Sequence, residues 1–480
     1  MGYYNFLYQY PYCLLLLVFL TSSYFLLKRK SAKHLRNLPP GSLGWPVIGE
    51  TLGFFSEGPK NFILKRLKNH STEVFKTNIL GENTVVFSGP EANKFITTNE
   101  QKLVRVWFPH SQQRLFGVIK SSANNINQQQ KTSPGIARLY GFLKPEPKFV
   151  EKFDFLMKQQ LSEYCGKEVN VGAYQLVKSY VLTLSCNYLL GIEPERAAKL
   201  AGKFDDVVNG IHSVHLDFPG TVFRCAKKAA AEVRREIEGI IKEKSDDQVA
   251  ATAAAEDLLS IFIAADRSGK VMLPSTVANI VMGIMAASYG SVVTAIAFMV
   301  KFVGQRPDVY EKIYSEQSEI LALKGSGTLD WDHINRMKYT WAVACETMRM
   351  VSPFLGTFRE ALTDFNYAGF TIPKGWKIFW AVSMTNKNPE YFAEPEKFEP
   401  SRFLGNEHYL PHTFLPFGGG PRMCAGKDYA RLAVLVFMHN LVTKFKWDVL
   451  LPNERILGGM VMPTPIKGLP VRLYPVSIEK

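Results

Sequence analysis

The chain has 480 residues, is 46% hydrophobic and only 21% charged, and carries a formal net charge of +14. That balance excludes a disordered or fibrous protein and supplies apolar material for a large core without disulfide or metal staples. An excess of Lys and Arg fits nucleic acid, an anionic membrane or an acidic protein partner, so the placement of the charge must decide among them.

Residues 1–27 contain no charged side chain, and from Pro11 to Leu27 the run reads PYCLLLLVFLTSSYFLL. Crossing a bilayer takes roughly 20 apolar residues, a length reached if the segment begins near Phe6. Lys28, Arg29, Lys30, Lys33 and Arg36 follow at once. No positive flank precedes the apolar run and no small-residue cleavage site precedes the basic cluster, so residues 1–27 read as an uncleaved anchor rather than a signal peptide. The positive cluster places the N-terminus in the lumen and the remainder in the cytosol. Residues 28–50 read as this basic stop followed by a stiff joint, because Pro39-Pro40 cannot continue a helix. Residues 51–480 read as one domain.

Short strands are predicted at Thr84–Phe87, Phe370–Ile372, Lys377–Ala381 and Leu469–Tyr474, with further strand pieces beside Glu50. Helices are predicted over Ala226–Lys244, Asn279–Val303, Pro307–Leu323, Trp331–Val351 and Lys427–Phe445. The first is amphipathic, whereas Asn279–Val303 is apolar nearly all round, the pattern of a helix buried through a core. Asp246–Ala255 and Gly325–Gly327 read as exposed loops. The fold class is mainly α with a small β region.

The six cysteines (Cys13, Cys165, Cys186, Cys225, Cys345, Cys424) are scattered without CxxC spacing, which argues against a disulfide framework and for a reducing compartment. Cys424 differs from the others. It lies in Phe417-Gly-Gly-Gly-Pro-Arg-Met-Cys-Ala-Gly426, which matches FxxGxRxCxG through Phe417, Gly420, Arg422, Cys424 and Gly426. Glycines permit a sharp turn, and the helix that follows offers N-terminal N–H groups to a negative sulfur. Such a cysteine is suited to metal ligation as a thiolate. Glu346-Thr-Met-Arg349 spaces its charges to share one helix face, and Pro400-Ser-Arg402-Phe403 supplies a second arginine.

Together these motifs resemble the cytochrome P450 family, of the plant microsomal type. WPVIGETLGF, KLVRVWFP, GTFREALTDFNYAGFTIPKGWK, FGGGPRMCAGKDYARL and FMHNLVTKFKW are similar to plant triterpenoid oxidases of the β-amyrin 28-oxidase kind, and yew taxoid hydroxylases share much of the pattern. The resemblance implies the P450 fold and haem b, with Cys424 as the iron ligand, Phe417 shielding the sulfur, and Arg422 and Arg359 contacting propionates. It implies a structural triad of Glu346, Arg349 and Arg402. The implied reaction is oxidation of a polycyclic terpenoid, a triterpene first and a diterpene next, with O2 and electrons from NADPH through a cytochrome P450 reductase. The implied location is the endoplasmic reticulum membrane, single-pass, with the catalytic domain cytosolic and in contact with lipid. Nucleic acid drops out as a partner.

The sequence departs from that family in two places. Where the family has an acid followed by threonine, this chain has Gly290 and Ser291, leaving Ser291 as the candidate catalytic relay with no carboxylate beside it. Thr294 falls one turn from the family position. Before GFLKPE the chain reads Asn124-Asn-Ile-Asn-Gln-Gln-Gln-Lys-Thr-Ser-Pro-Gly135, and Pro134-Gly135 should break a helix there. Thr132 and Ile136 occupy the two haem-contacting positions, with Lys131 or Arg138 as the remaining cations in reach. These departures keep two alternatives in view: a P450-fold isomerase or rearrangement catalyst, and a non-catalytic terpenoid-pathway protein. Substrate-facing segments implied by the resemblance are Trp107-Phe108-Pro109, His212–Pro219, Ala286–Tyr289, Leu355-Gly356 and Met460–Met462. Within and beside them Trp107, Phe108, Ala286, Ala287, Tyr289, Gly290, Leu355 and Gly356 are candidate contacts, Tyr289 foremost. His212 and His215 fall in a membrane-facing loop and are not read as ligands.

Overall fold

A computed structural model of the chain describes residues 19, 37–46, 48–70, 73–117, 147–211, 213–246, 257–260, 263, 273–325, 327–405, 410–458 and 462–476. The expected anchor apart from Phe19, the basic cluster, the 124–135 segment, His212 and Met460 therefore lie outside the described residues. The chain divides into two compact units, residues 1–107 with 357–381 and residues 108–356 with 382–480.

The first unit is built on a five-stranded sheet ordered Val74–Ile79, Glu82–Phe87, Lys377–Trp380, Thr357–Ala361 and Val104–Val106. Glu82–Phe87 and Lys377–Trp380 run parallel, with Phe87 opposite Trp380. The other neighbours are antiparallel. Phe54, Phe62, Phe75, Phe87 and Val86 are buried with no exposed surface. The strand pieces expected beside Glu50 are instead a short helix, Thr51–Ser56. Glu50 itself accepts hydrogen bonds from Arg66 at 2.8 Å and Thr77 at 2.7 Å. These tertiary partners override the weak local strand preference. The proline joint is pinned to this sheet: the Pro40 carbonyl accepts the Lys76 N–H at 2.7 Å, and Pro39 accepts from Lys76 Nζ at 2.6 Å.

In the second unit the helices Lys148–Leu161, Ala173–Leu190, Pro194–Gly210, Val222–Asp246, Pro274–Gly304, Pro307–Lys324, Lys338–Met350 and Lys427–Lys444 surround one apolar core. The first three were not predicted from sequence. Pro274–Gly304 has the length and hydropathy of a membrane span, yet most of it is buried within the protein. The expected single helix Trp331–Val351 is broken at Met337, whose ψ of 55° separates Trp331–Arg336 from Lys338–Met350. A small sheet joins Val169–Gly172, Pro470–Pro475 and Phe445–Val449. Among the core side chains His439 is buried against Gln317 at 2.8 Å, and burial pushes its pKa down to about 4.

Candidate functional site

The cysteine-bearing turn takes its shape from two glycines. Gly418 and Gly420 adopt φ of 67° and 66°, a left-handed backbone that most side chains resist. They lead into a single 3-10 turn, Gly420–Arg422. The chain then closes on itself where the Cys424 N–H donates to the Phe417 carbonyl at 2.8 Å. From Lys427 the helix Lys427–Lys444 begins, with no side chain capping its first turn. Cys424 is exposed, while Cys186 and Cys345 are buried and Cys165 and Cys225 are exposed elsewhere.

Two influences act on the Cys424 sulfur. Although the residue keeps exposed surface, packing of protein atoms around the sulfur pushes the thiol pKa up, and the Gly426 N–H pulls it down. A coordinating metal cation deprotonates a cysteine outright. Arg422 is the second telling group. Its Nε is a buried donor without a hydrogen-bond partner among the described residues. An unpaired buried donor costs free energy unless a ligand completes it. A soft metal ligand at a helix start and an arginine lacking an acceptor fit a metal-bearing, anionic group such as a haem with its propionates.

The helix Lys338–Met350 carries the charge cluster. Arg349 Nε and NH2 grip the two Glu346 oxygens at 2.7 and 2.8 Å, and both side chains are fully buried. The remaining Arg349 donors reach the carbonyls of Asn386, Pro395 and Lys397. Arg402 approaches Glu346 at 3.6 Å. Its Nε makes no hydrogen bond among the described residues, although its NH2 donates to the Glu394 carbonyl at 3.1 Å. The expected triad is thus a tight bidentate pair with a looser third member.

Across Pro274–Gly304 the helix presents different faces. Ala287 is exposed and Ser291 half-exposed, one turn apart on the same stripe. Ser291 Oγ donates to the Ala287 carbonyl at 3.0 Å, and Thr294, fully buried, donates to the Gly290 carbonyl at 3.0 Å. Residues 274–304 contain no Asp or Glu. Gly290 is closely covered: a Cβ there would lie 3.1 Å from Met462 Cγ. Tyr289, the foremost candidate contact, is buried at 4% exposure. Its ring packs edge-on against Phe204, and its hydroxyl donates at 2.9 Å to Asp205, which also receives Lys178 at 2.6 Å. Two residues from Ala287 along a helix is about half a turn, so Tyr289 points into the core. Ala286 is likewise buried at 6% exposure.

The remaining candidates are placed as follows. In the first unit Arg359 Nε donates to Glu100 at 2.6 Å, and its NH1 to Thr357 and the Phe358 carbonyl. An anion held by Arg359 would have to share that guanidinium with Glu100, a partner sequence reasoning missed because it lies on a distant segment. Trp107, also in the first unit, packs edge-on against Phe358 with Lys377 Nζ 5.1 Å from its ring. In the second unit the Phe108 carbonyl accepts from Gln113 at 2.6 Å. Leu355 and Gly356 are half-buried, and the Leu355 carbonyl accepts from the Ser383 hydroxyl at 3.0 Å. Lys131, Thr132, Ile136 and Arg138 lie outside the described residues.

Comparison with known proteins agrees with this geometry. The family model described as cytochrome P450 matches residues 39–467. A beta-amyrin 28-monooxygenase of Medicago truncatula is 42% identical over 472 residues, covering 96% of this chain and 97% of its own length. A beta-amyrin 6-beta-monooxygenase of Solanum lycopersicum is 41% identical, covering 95% of this chain and 97% of its own. Among solved structures, retinoic acid bound cyanobacterial CYP120A1 is 28% identical with a TM-score of 0.77, over 92% of this chain and all of that one.

Proposed function

The chain belongs to the cytochrome P450 family and is a monooxygenase, and from that premise we propose that it oxidises a polycyclic terpenoid, a pentacyclic triterpene before a diterpene. The observation that carries the substrate class is identity of 42% over 96% of the chain to a beta-amyrin oxidase. Two relatives of nearly equal identity are named for different positions, 28 and 6-beta, so the shared scaffold is proposed and the oxidised carbon is not.

Haem b is the cofactor the family implies, and when bound it supplies the activation of dioxygen. Cys424 would hold the iron, Arg422 would donate its unpaired Nε–H to a propionate, and Phe417 would lie beside the sulfur with Gly420 and Gly426 shaping the turn. Electrons would come from NADPH through a reductase, docking on exposed cations near the turn such as Arg336, Lys338 and Lys427. Residues 1–27 would anchor the chain in the endoplasmic reticulum membrane, and 51–480 would form the cytosolic haem domain.

Ser291 would be the nearest hydroxyl on the open helix stripe, but it donates into its own helix backbone and has no carboxylate behind it. General acid groups contribute about 10²–10⁴-fold, whereas Ser291→Ala is expected to slow turnover by less than about tenfold, because the relay already lacks that acid. The ratio of hydrogen peroxide released to product formed checks this. A loss of a hundredfold or more would mean that Ser291 carries the proton transfer alone.

The function itself is tested with microsomes carrying the full chain. Reduced under carbon monoxide they should show a thiolate-haem band near ~450 nm, and with NADPH, reductase and β-amyrin they should form an oxygenated product. Protein without the band overturns the haem-thiolate reading. Product formed equally well without NADPH would select the rearrangement catalyst that Gly290 would suit.

A further inference from the structure

We propose that Trp341 is a positioning residue for the cysteine turn, holding Phe417 in place and thereby the backbone hydrogen bond at Cys424. Phe417 is the hinge of the inference because it works at both ends. Its carbonyl takes the Cys424 N–H at 2.8 Å. Its half-buried ring lies nearly parallel to the Trp341 indole, with centroids 6.2 Å apart and planes at 18°.

Trp341 stands on a fixed base. It occupies the first turn of Lys338–Met350, and the same helix is locked further along by the fully buried Glu346–Arg349 pair. From the following helix the Arg431 guanidinium sits over the indole, 5.8 Å from the ring centre. Arg431 has few other commitments. Its Nε is buried without a hydrogen-bond partner among the described residues, and its NH1 reaches Asn335 only at 3.4 Å. A poorly solvated cation over an indole face is the favourable setting for cation–π attraction. The order is then Arg431, Trp341, Phe417 and the Cys424 N–H, a supported stack ending at the metal-ligating residue.

The physical consequence follows from how such sites are tuned. Hydrogen bonding and burial around an axial thiolate tune the reduction potential of the iron it holds, and loss of an outer-shell partner commonly costs about 10–100-fold in metal affinity or activity. Removing the indole face frees the Phe417 ring and, through the same residue's carbonyl, loosens the Cys424 turn. A ring of similar shape keeps both.

This inference rests on the haem-thiolate reading, and the experiment separates the two. Full-length wild type, Trp341→Phe and Trp341→Leu are prepared as holoenzymes, and two properties are read: the midpoint potential, and the fraction of the reduced carbon monoxide complex that loses the thiolate band. Trp341→Leu should shift the one-electron equilibrium by about tenfold, equal to about 59 mV, and lose the thiolate band faster; Trp341→Phe should stay near wild type. A Trp341→Leu protein with wild-type potential and spectrum overturns the inference, as do Phe and Leu variants changed equally. If Trp341→Leu does not accumulate, Arg431→Met decides: a smaller shift in the same direction supports the stack, and an unchanged potential overturns it. Wild type lacking the thiolate band removes the haem reading and this inference with it, whereas a normal wild-type band with unresponsive variants removes the inference alone.

Discussion

Glu346→Ala should cost about 3–5 kcal/mol, the usual loss when one partner of a buried ion pair is removed. Arg349 is the reason. Its guanidinium is buried, donates two short bonds to Glu346, and spends its other donors on three backbone carbonyls. Without the carboxylate a positive charge stays in the core with dipoles alone to balance it. Glu346 also accepts the Glu399 N–H at 2.8 Å, so the segment carrying Arg402 loses its tie as well. Native stability is commonly about 5–15 kcal/mol, so most of the margin disappears and little haem-loaded protein should accumulate. Arg402→Ala is the contrast. At 3.6 Å from Glu346, with no Nε hydrogen bond among the described residues, it should cost about 1 kcal/mol. Urea midpoints of the two variants measure the difference, and equal costs would show that the three charges act as a single unit.

Cys424→Ser should abolish the thiolate band near ~450 nm and all turnover that depends on it, while changing stability by only about 0.5 kcal/mol, as expected for an exposed position. The two halves come from separate observations. Cys424 is exposed, and its structural tie is a backbone one, N–H to the Phe417 carbonyl; serine keeps that bond. A hydroxyl in place of the sulfur lacks the electron donation and the low pKa under metal coordination that a thiol provides. Spectra of the reduced carbon monoxide complex and thermal melts of the same preparation check both. Retention of the band would mean that another residue ligates the metal.

Glu346→Ala and Cys424→Ser mark the boundary between what local sequence specifies and what packing decides. The cysteine turn was legible because everything it needs is contained in ten consecutive residues: glycines where φ is positive, a thiol, and a helix start immediately after. The Glu346–Arg349 pair was legible for the same reason, since a spacing of three on a helix makes the two side chains neighbours whatever surrounds them. The apolar Pro274–Gly304 helix needed only composition.

Other features depended on parts of the chain far apart in sequence. The partners of Tyr289 were not legible, because periodicity says only that a helix apolar all round is buried; the distant Phe204 and Asp205 supply them. Arg359 was expected to hold an anion, and the structure supplies it with Glu100. The loose seating of Arg402, the cover of Met462 on Gly290, and the Trp341–Phe417 stack likewise depend on tertiary neighbours. The sequence by itself therefore determined the family, the cysteine-bearing turn and the buried ion pair, because each is encoded in local geometry. Only the tertiary structure decided the orientation of side chains toward or away from the site, because that orientation is the outcome of competition among contacts between distant segments.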